Sequence, residues 1–457
     1  MAALLWLPNL FTKGMFMDGV FHALFAHNFV NGIGSFWSPQ TADYVHPEYW
    51  DNPQLSSYFL SLWYKALGDY YWVEKLYSLA CAIIQLLLIS SLWKIYFADD
   101  EEQKSRAWLP CLLFLLIPLT SWCYSSNLME NCMTIFTTGA VISFVLHLRT
   151  GKNLLPYSII GGALIFLALI TKGPVALFPL AAPAIFASFE KDLKWKNAIA
   201  YTFLQLAVLV LIFAFVFSME APKNFLQHYI DVQLMRALKH EGYTPAPPYT
   251  IFIQLFVALI IPIAVVTISG IFTGKDAMRR ASTAAIFILI GLSASAPIAI
   301  SAKQNKHYLL PSLPMFAIGL SCFILPAIKW LDEQFETFDK RVAPVAKAIC
   351  IFVVAGCITL SVINAGTNSR YEFLMEDIEA IQTRTKNESL IQADWVLYGD
   401  WGLKANLNRF YDKKICMPDE AKTNFYITIF DGQNGGVPAN AVKVYSGKMY
   451  NLYKLQP

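Results

Sequence analysis

The sequence predicts a polytopic α-helical membrane protein followed by a small outward-facing α/β domain, and three observations predict it. The 457 residues are 56% hydrophobic and only 15% charged, whereas a soluble globular chain carries about a quarter charged residues. Apolar segments recur through residues 1–366, most of them compatible with the roughly 20 residues that a helix needs to cross the hydrocarbon core. Basic residues collect in alternate connections between these segments, the asymmetry that orients membrane helices.

The opening MAALLWLPNLF is too short to cross alone and reads as the outer end of a first span. It lacks the basic start and small-residue cleavage site of a signal peptide. Further apolar segments lie near 72–97, 107–123, 128–148, 157–171, 174–189, 198–218, 250–272, 282–300, 308–327 and 346–366, giving about eleven spans. The connections DDEEQKSR (99–106), LRTGKN (148–153), EKDLKWKN (190–197), TGKDAMRR (273–280) and KWLDEQFETFDKRVAPVAK (329–347) hold fourteen Lys and Arg residues. The positive-inside rule puts these in the cytoplasm. The first loop 13–71, the tip at 123–127, the Lys172-Gly-Pro turn, 219–249, SAKQNKH (301–307) and the tail after 366 then face outward. A cysteine at position 434 is expected to label from outside, and one at 277 is not.

The tail, 367–457, is polar and forms the second domain. DIEAIQTRT reads as a helix, and VLYGD, NFYITIF and AVKVYSG read as strands between Asp, Asn, Gly and Pro turn signals. A net charge of +3 without a basic block excludes a nucleic-acid partner and leaves membrane lipids as the surroundings. The eight cysteines show no metal-ligand spacing and read as small buried hydrophobes.

Candidate chemistry gathers at the outer plane. Lys172 interrupts the apolar stretch LALITKGPVALFPL, where an ionisable group is costly. It is either a turn residue snorkelling to headgroups or a cation held for a lipid phosphate. Lys303 and Lys306 share that level, with His307 and Tyr308 as hydrogen-bonding neighbours. In the first loop, Met17, Val20, Phe21, Leu24 and Phe25 repeat at helical spacing, and Asp18 and His22 lie one turn apart. The ordinary alternative is an interfacial amphipathic helix whose Asp favours its N-terminal end. Glu48 and Asp51 follow among Tyr49, Trp50, Tyr58, Trp63, Tyr64, Tyr70, Tyr71 and Trp72. Interfacial anchoring accounts for those rings but not for the acids.

In order, the chain offers Asp18 after the first span, Asp51-Asn52-Pro53-Gln54-Leu55, and Leu67-Gly68-Asp69 with Glu74-Lys75-Leu76-Tyr77-Ser78. It continues with Thr171-Lys172-Gly173-Pro174, and with Lys306 before Tyr308-Leu-Leu-Pro-Ser-Leu-Pro314. This series resembles the GT-C membrane glycosyltransferases of the protein O-mannosyltransferase and lipid A aminoarabinose transferase type, over residues 1–330 and in the plan of spans followed by an outward domain. The resemblance implies sugar transfer from a polyprenyl-phosphate-linked donor to a lipid, glycan or protein acceptor at the outer face of the inner membrane. It makes Asp18 the essential acid and Glu130 a further acidic position. Here Asn52 and Gln54 stand where the family has a cation and a second proline, Gly19 replaces a second acid, and His22 replaces a tyrosine.

The physical logic agrees. A lipid phosphate leaves as an anion, so fixed cations aimed at it stabilise charge that grows in the transition state. Lys172, Lys303 and Lys306 are the candidates, with His307 and Tyr308 beside them. A carboxylate on the opposite face of the sugar, Asp18, positions and deprotonates the acceptor, which predicts displacement with inversion. His22, Asp51 and Glu130 are candidates for positioning sugar or acceptor. No motif demands a cofactor; Asp18, His22 and Asp51 either hold a divalent cation or form a hydrogen-bonded cluster. A multi-span transporter or flippase of lipid-linked sugars is the alternative, although no internal repeat is visible.

Overall fold

The computed structural model describes residues 1–42, 49–151, 153–235, 246–274, 278, 280–335, 339–429 and 437–456. Glu48, positions 277 and 434, and residues 236–245 of the expected loop helix and its proline-rich end lie outside them.

The chain starts with α1 (Ala2–Trp6) and a 3₁₀ turn, Leu7–Asn9. The first long connection folds into α2 (Met17–Val30) and α3 (Leu55–Leu67). Next come α4 (Val73–Tyr96), α5 (Glu101–Ser105), α6 (Trp108–Leu116), α7 (Pro118–Tyr124), α8 (Met129–Thr150) and α9 (Leu154–Lys172). A 3₁₀ stretch, Pro174–Ala181, leads into α10 (Ala182–Phe189), then α11 (Trp195–Phe217) and α12 (Glu220–His228), which runs on as a π-helical turn. α13 (Thr250–Thr273), α14 (Ala281–Ser295), α15 (Leu313–Phe335) and α16 (Asp339–Ile363) complete the bundle. Short 3₁₀ stretches follow α14 and precede α15.

Among the described residues, eight helical segments are long and apolar enough to cross a bilayer, those built on α4, α8, α9, α11, α13, α14, α15 and α16. The other three of the eleven expected segments are short or broken, and each carries a proline at the break or just past the short helix. Pro8 sits in the N-terminal turn, Ile117-Pro118 separates α6 from α7, and Pro174 and Pro179 hold a 3₁₀ stretch before α10.

Lipid tails are as apolar as leucine, so helix association rests on close packing and on polar contacts between helices, each contributing about 0.6–2 kcal/mol. α4 and α8 are joined in this way, by Gln85 donating to Thr138 Oγ1 at 3.0 Å and Asn131 donating to Ser78 Oγ at 2.8 Å. At one end of the bundle, Arg280 pairs with Asp100 at 2.8 Å, Arg149 lies 3.5 Å from Asp99, and Arg106 pairs with Asp332. The basic loops thus cluster with one another. The site described below is at the other end of the same helices.

The tail domain contains α17 (Glu372–Arg384), α18 (Trp395–Tyr398) and α19 (Trp401–Tyr411). Its sheet has the order β2-β1-β3-β5-β4, where β1 is Leu390–Ala393, β2 Lys414–Cys416, β3 Phe425–Ile429, β4 Ala441–Ser446 and β5 Tyr450–Leu455. β1 runs parallel to β2 and β3, and β5 is antiparallel to β3 and β4. NFYITIF and AVKVYSG are strands as expected, but VLYGD is not. Asp394 accepts the Leu397 N–H at 2.8 Å and Asp400 accepts the Leu403 N–H at 3.0 Å, so two N-caps start helices there and override a β-prone run. Main-chain bonds from Gly366 to Phe11 and between Lys13 and both Thr367 and Ser369 tie the tail to the first connection.

Candidate active site

α2 carries Asp18 in its first turn and His22 one turn later. Its position is fixed by backbone contact with the α7–α8 turn. A Cβ at Gly19 would lie 1.8 Å from the Ser126 carbonyl oxygen, so only glycine permits the approach. Asn127, in the left-handed region at φ 49°, donates its amide to the Gly19 carbonyl at 3.2 Å. Val20, His22, Leu24 and Phe25 are all buried, so α2 is part of the core rather than an interfacial amphipathic helix.

The same turn leads directly to Glu130, in the first turn of α8. Lys172 is the last residue of α9 and Gly173 ends it, at φ +115° and so close to Tyr229 that a Cβ would lie 2.2 Å from the phenol oxygen. His307 and Tyr308 come from the 3₁₀ stretch Lys306–Ser312 before α15.

These side chains meet. Lys172 Nζ lies 3.1 Å from Glu130 Oε1, with the Glu130 side chain 1% exposed and that of Lys172 13%. The ammonium also faces the Tyr308 ring, 5.1 Å from its centroid. Lys172 therefore turns inward to a buried carboxylate instead of snorkelling to headgroups. His307 Nε2 lies 3.6 Å from Asp18 Oδ2 and 3.7 Å from Glu130 Oε1, which links the two acids. Asp18 remains 29% exposed. His22 is buried and, among the described residues, has no hydrogen-bond partner on either ring nitrogen. Burial, with Lys172 and then His307 nearby, pushes its pKa well below the ordinary value, so the ring is neutral.

Two cavities flank the cluster. One, of about 570 Å³, is walled largely by apolar residues such as Val175, Leu177, Phe178 and Ile298, with Glu130, Lys172 and Tyr308 at its polar end. The other, of about 460 Å³, is lined by Phe16, Trp122, Asn305, Lys306, His307 and Arg370, together with Tyr371. Consecutive residues, His307 and Tyr308, thus line one cavity each. Lys306 and Arg370 both stack on Trp122, at 4.5 and 5.5 Å from the ring centroid.

Of the expected site residues, Asp18, His22, Glu130, Lys172, His307 and Tyr308 come together. Lys306 lines the second cavity and not the one that holds Lys172. Lys303 is half-buried, its N–H bonded to Ser301 Oγ at 3.3 Å, and lines neither. Asp51 is half-buried at the margin, next to Tyr49. Burial raises the Tyr49 phenol well above its ordinary pKa, and the Asp51 charge is the next contribution. Among the described residues no group of three His, Cys, Asp or Glu side chains is arranged to hold a metal ion. Asp18, His22 and Asp51 do not assemble such a set. Trp122 and Arg370 were not anticipated. Arg370 reaches the site through the tail, bonding Ser126 Oγ at 2.9 Å across 244 residues of sequence, and nothing local in Asn-Ser-Arg-Tyr signals it.

A membrane bundle with a short α/β appendage thus carries a cation–acid cluster at one end, between two cavities. The chain aligns with ArnT from Cupriavidus metallidurans bound to undecaprenyl phosphate at TM-score 0.68 and 11% identity, covering 99% of this chain and 96% of that one. The apo form of the same protein gives 0.67 and 13%, over 98% and 95%. The apo oligosaccharyltransferase of Archaeoglobus fulgidus gives 0.57 and 12%, over 94% and 69%. No protein-family model and no curated protein sequence matches the chain. The chain has the GT-C fold of these membrane glycosyltransferases.

Proposed function

We propose that the protein is a glycosyltransferase that moves a sugar from a polyprenyl-phosphate donor to a lipid, glycan or protein acceptor. The carrying observation is the cluster of Lys172, Glu130, His307 and Asp18 between an apolar cavity and a cation-lined one. The polyprenyl chain enters the apolar cavity, whose wall at Pro174 and Leu177 is exposed where lipid would be. Its phosphate meets Lys172, which keeps two donors after pairing with Glu130. The acceptor approaches from the side of His307, Lys306 and Arg370. An acceptor oxygen attacks the anomeric carbon, the bond from that carbon to the phosphate oxygen breaks, and the lipid phosphate leaves with the electron pair. Asp18 takes the acceptor proton, and the configuration inverts. The separation of 3.6 Å between His307 and Asp18 suits a site that tightens when substrate binds. The reading is supported by the undecaprenyl phosphate bound to ArnT and by the dolichol-phosphate and inhibitory peptide complexed with the A. fulgidus enzyme.

Purified protein in lipid nanodiscs, given radiolabelled polyprenyl-phosphate sugars, is expected to release free lipid phosphate and label an acceptor fraction. Proteoliposomes that move the intact donor across the bilayer without cleaving it would instead establish a flippase.

The site belongs, in this proposal, to the outer face of the inner membrane, because the opposite end gathers the basic loops. In a background with the exposed Cys350 replaced, a cysteine at the exposed position Lys448 should react with an impermeant thiol reagent from outside. One at exposed Lys191 should not. The reverse pattern would move the site to the cytoplasm.

A further inference from the structure

A second concentration of buried charge joins the tail domain to the first connection. Arg409, on α19, is 4% exposed. Its Nη2 lies 3.0 Å from Glu74 Oε2 and 2.9 Å from Asp69 Oδ1 and donates to the Tyr64 hydroxyl at 2.9 Å, while its Nε donates to Glu74 at 3.2 Å. Three residues on, Asp412 Oδ1 lies 2.8 Å from His27 Nε2, and His27 Nδ1 contacts Asp69. The Asn31 amide is also beside the ring, and the Arg409 charge faces it. Only a protonated imidazole donates from both nitrogens at once.

His27 belongs to α2, about two and a half turns from Asp18. α19 lies along this helix. Ala405 and Phe410 pack with Met15, Val20 and Phe21, and the Trp401 and Phe21 rings are 5.3 Å apart. Asp412 closes α19 in the left-handed region at φ 52°, a conformation that non-glycine residues adopt rarely. Its carboxylate meets His27 from that position.

We propose that α19 is a positioning brace for α2, in which Arg409, Asp412 and protonated His27 hold the helix that presents Asp18 and His22 to the cluster. The functional part of this proposal rests on Asp18 being a reacting group; the structural part does not. Burial alone would depress the His27 imidazole, but its bonds to Asp412 and Asp69 outweigh burial and the Arg409 charge and raise its pKa from 6.5 to about 9. A value raised on folding means that the contact contributes fully below about pH 6.5 and is lost as pH rises through about 9.

Two measurements on the full chain in nanodiscs test the brace. Hydrogen exchange at pH 7 should show α2 losing protection in His27→Gln and in Asp412→Asn, with α8 and α9 unchanged; α2 protected as in the parent overturns the proposal, whatever the activity. Parent turnover should fall along an alkaline limb near pH 9. Asp412→Asn should move that limb to lower pH. His27→Gln should lack it and run roughly 10- to 100-fold slower at pH 7, since small displacements of a reacting group cost rates of that order. A limb near pH 9 that survives in His27→Gln, in protein that still transfers sugar, removes His27 from the device. If no variant and no parent transfers sugar, the proposed function fails, while the exchange result still decides the brace.

Discussion

Asp18→Asn is expected to abolish sugar transfer while leaving expression and membrane insertion intact. The amide has the shape of the carboxylate and keeps hydrogen-bonding capacity, but it takes up no proton from an acceptor. Loss of a general base commonly lowers rate by about 10²–10⁴. Little stability should go with it. Asp18 is 29% exposed, with the His307 imidazole 3.6 Å away, and it sits in the first turn of α2, where a negative charge contributes about 0.3–1 kcal/mol. A fall in thermal midpoint of a few degrees at most should therefore accompany the lost turnover. Purified variant in nanodiscs, assayed for release of polyprenyl phosphate, checks both quantities. Near-normal release would take Asp18 out of the mechanism, and a collapsed midpoint would make its role structural.

How much of this was legible in the sequence depends on the range of the signal. The long spans were legible because length and hydropathy are local properties. The breaks within apolar segments were not legible, because one proline, such as Pro118, alters helix geometry without altering hydropathy. Lys172 stood out because a charge inside an apolar run is costly, yet its partner Glu130 is forty-two residues away on α8, and only the packing of α8 against α9 joins them. Lys306 shares a loop with Tyr308 but lines the other cavity, because a 3₁₀ stretch starting at Lys306 turns successive side chains to different sides; Lys303 precedes that stretch and lines neither. Arg370 and Arg409 are the extreme cases. Arg370 acts on the α7–α8 turn and Arg409 on the first connection from the other end of the chain, and a pattern read along the sequence cannot bring them there. VLYGD failed for a different reason, since capping by Asp394 and Asp400 outweighed β-propensity.

Lys172→Gln is expected to have two separable effects, and the buried Glu130 makes them so. Losing one electrostatic contact to a developing charge costs on the order of 100-fold in rate, so turnover should fall by about that factor. The same change leaves Glu130, with its side chain 1% exposed, without the ammonium 3.1 Å away and, among the described residues, with the His307 imidazole 3.7 Å off as its remaining ion-pair candidate. Breaking a buried pair from one side typically destabilises by about 3–5 kcal/mol, so the thermal midpoint should also drop. Lys172→Gln/Glu130→Gln removes both charges and should restore most of that stability. It should not restore the rate, because the phosphate still lacks its cation. Lys172→Arg keeps the charge but presents a planar fork where a compact ammonium faces Tyr308, and should retain partial turnover. Thermal midpoint and single-turnover rate, measured on the parent, Lys172→Gln, Glu130→Gln and the double variant, form a cycle in which the two effects cannot be confused. If the double variant regains both stability and rate, Lys172 serves only to neutralise Glu130, and the donor phosphate must be held elsewhere. If stability returns and the rate stays low, the cation that interrupts the apolar run is there for the leaving group.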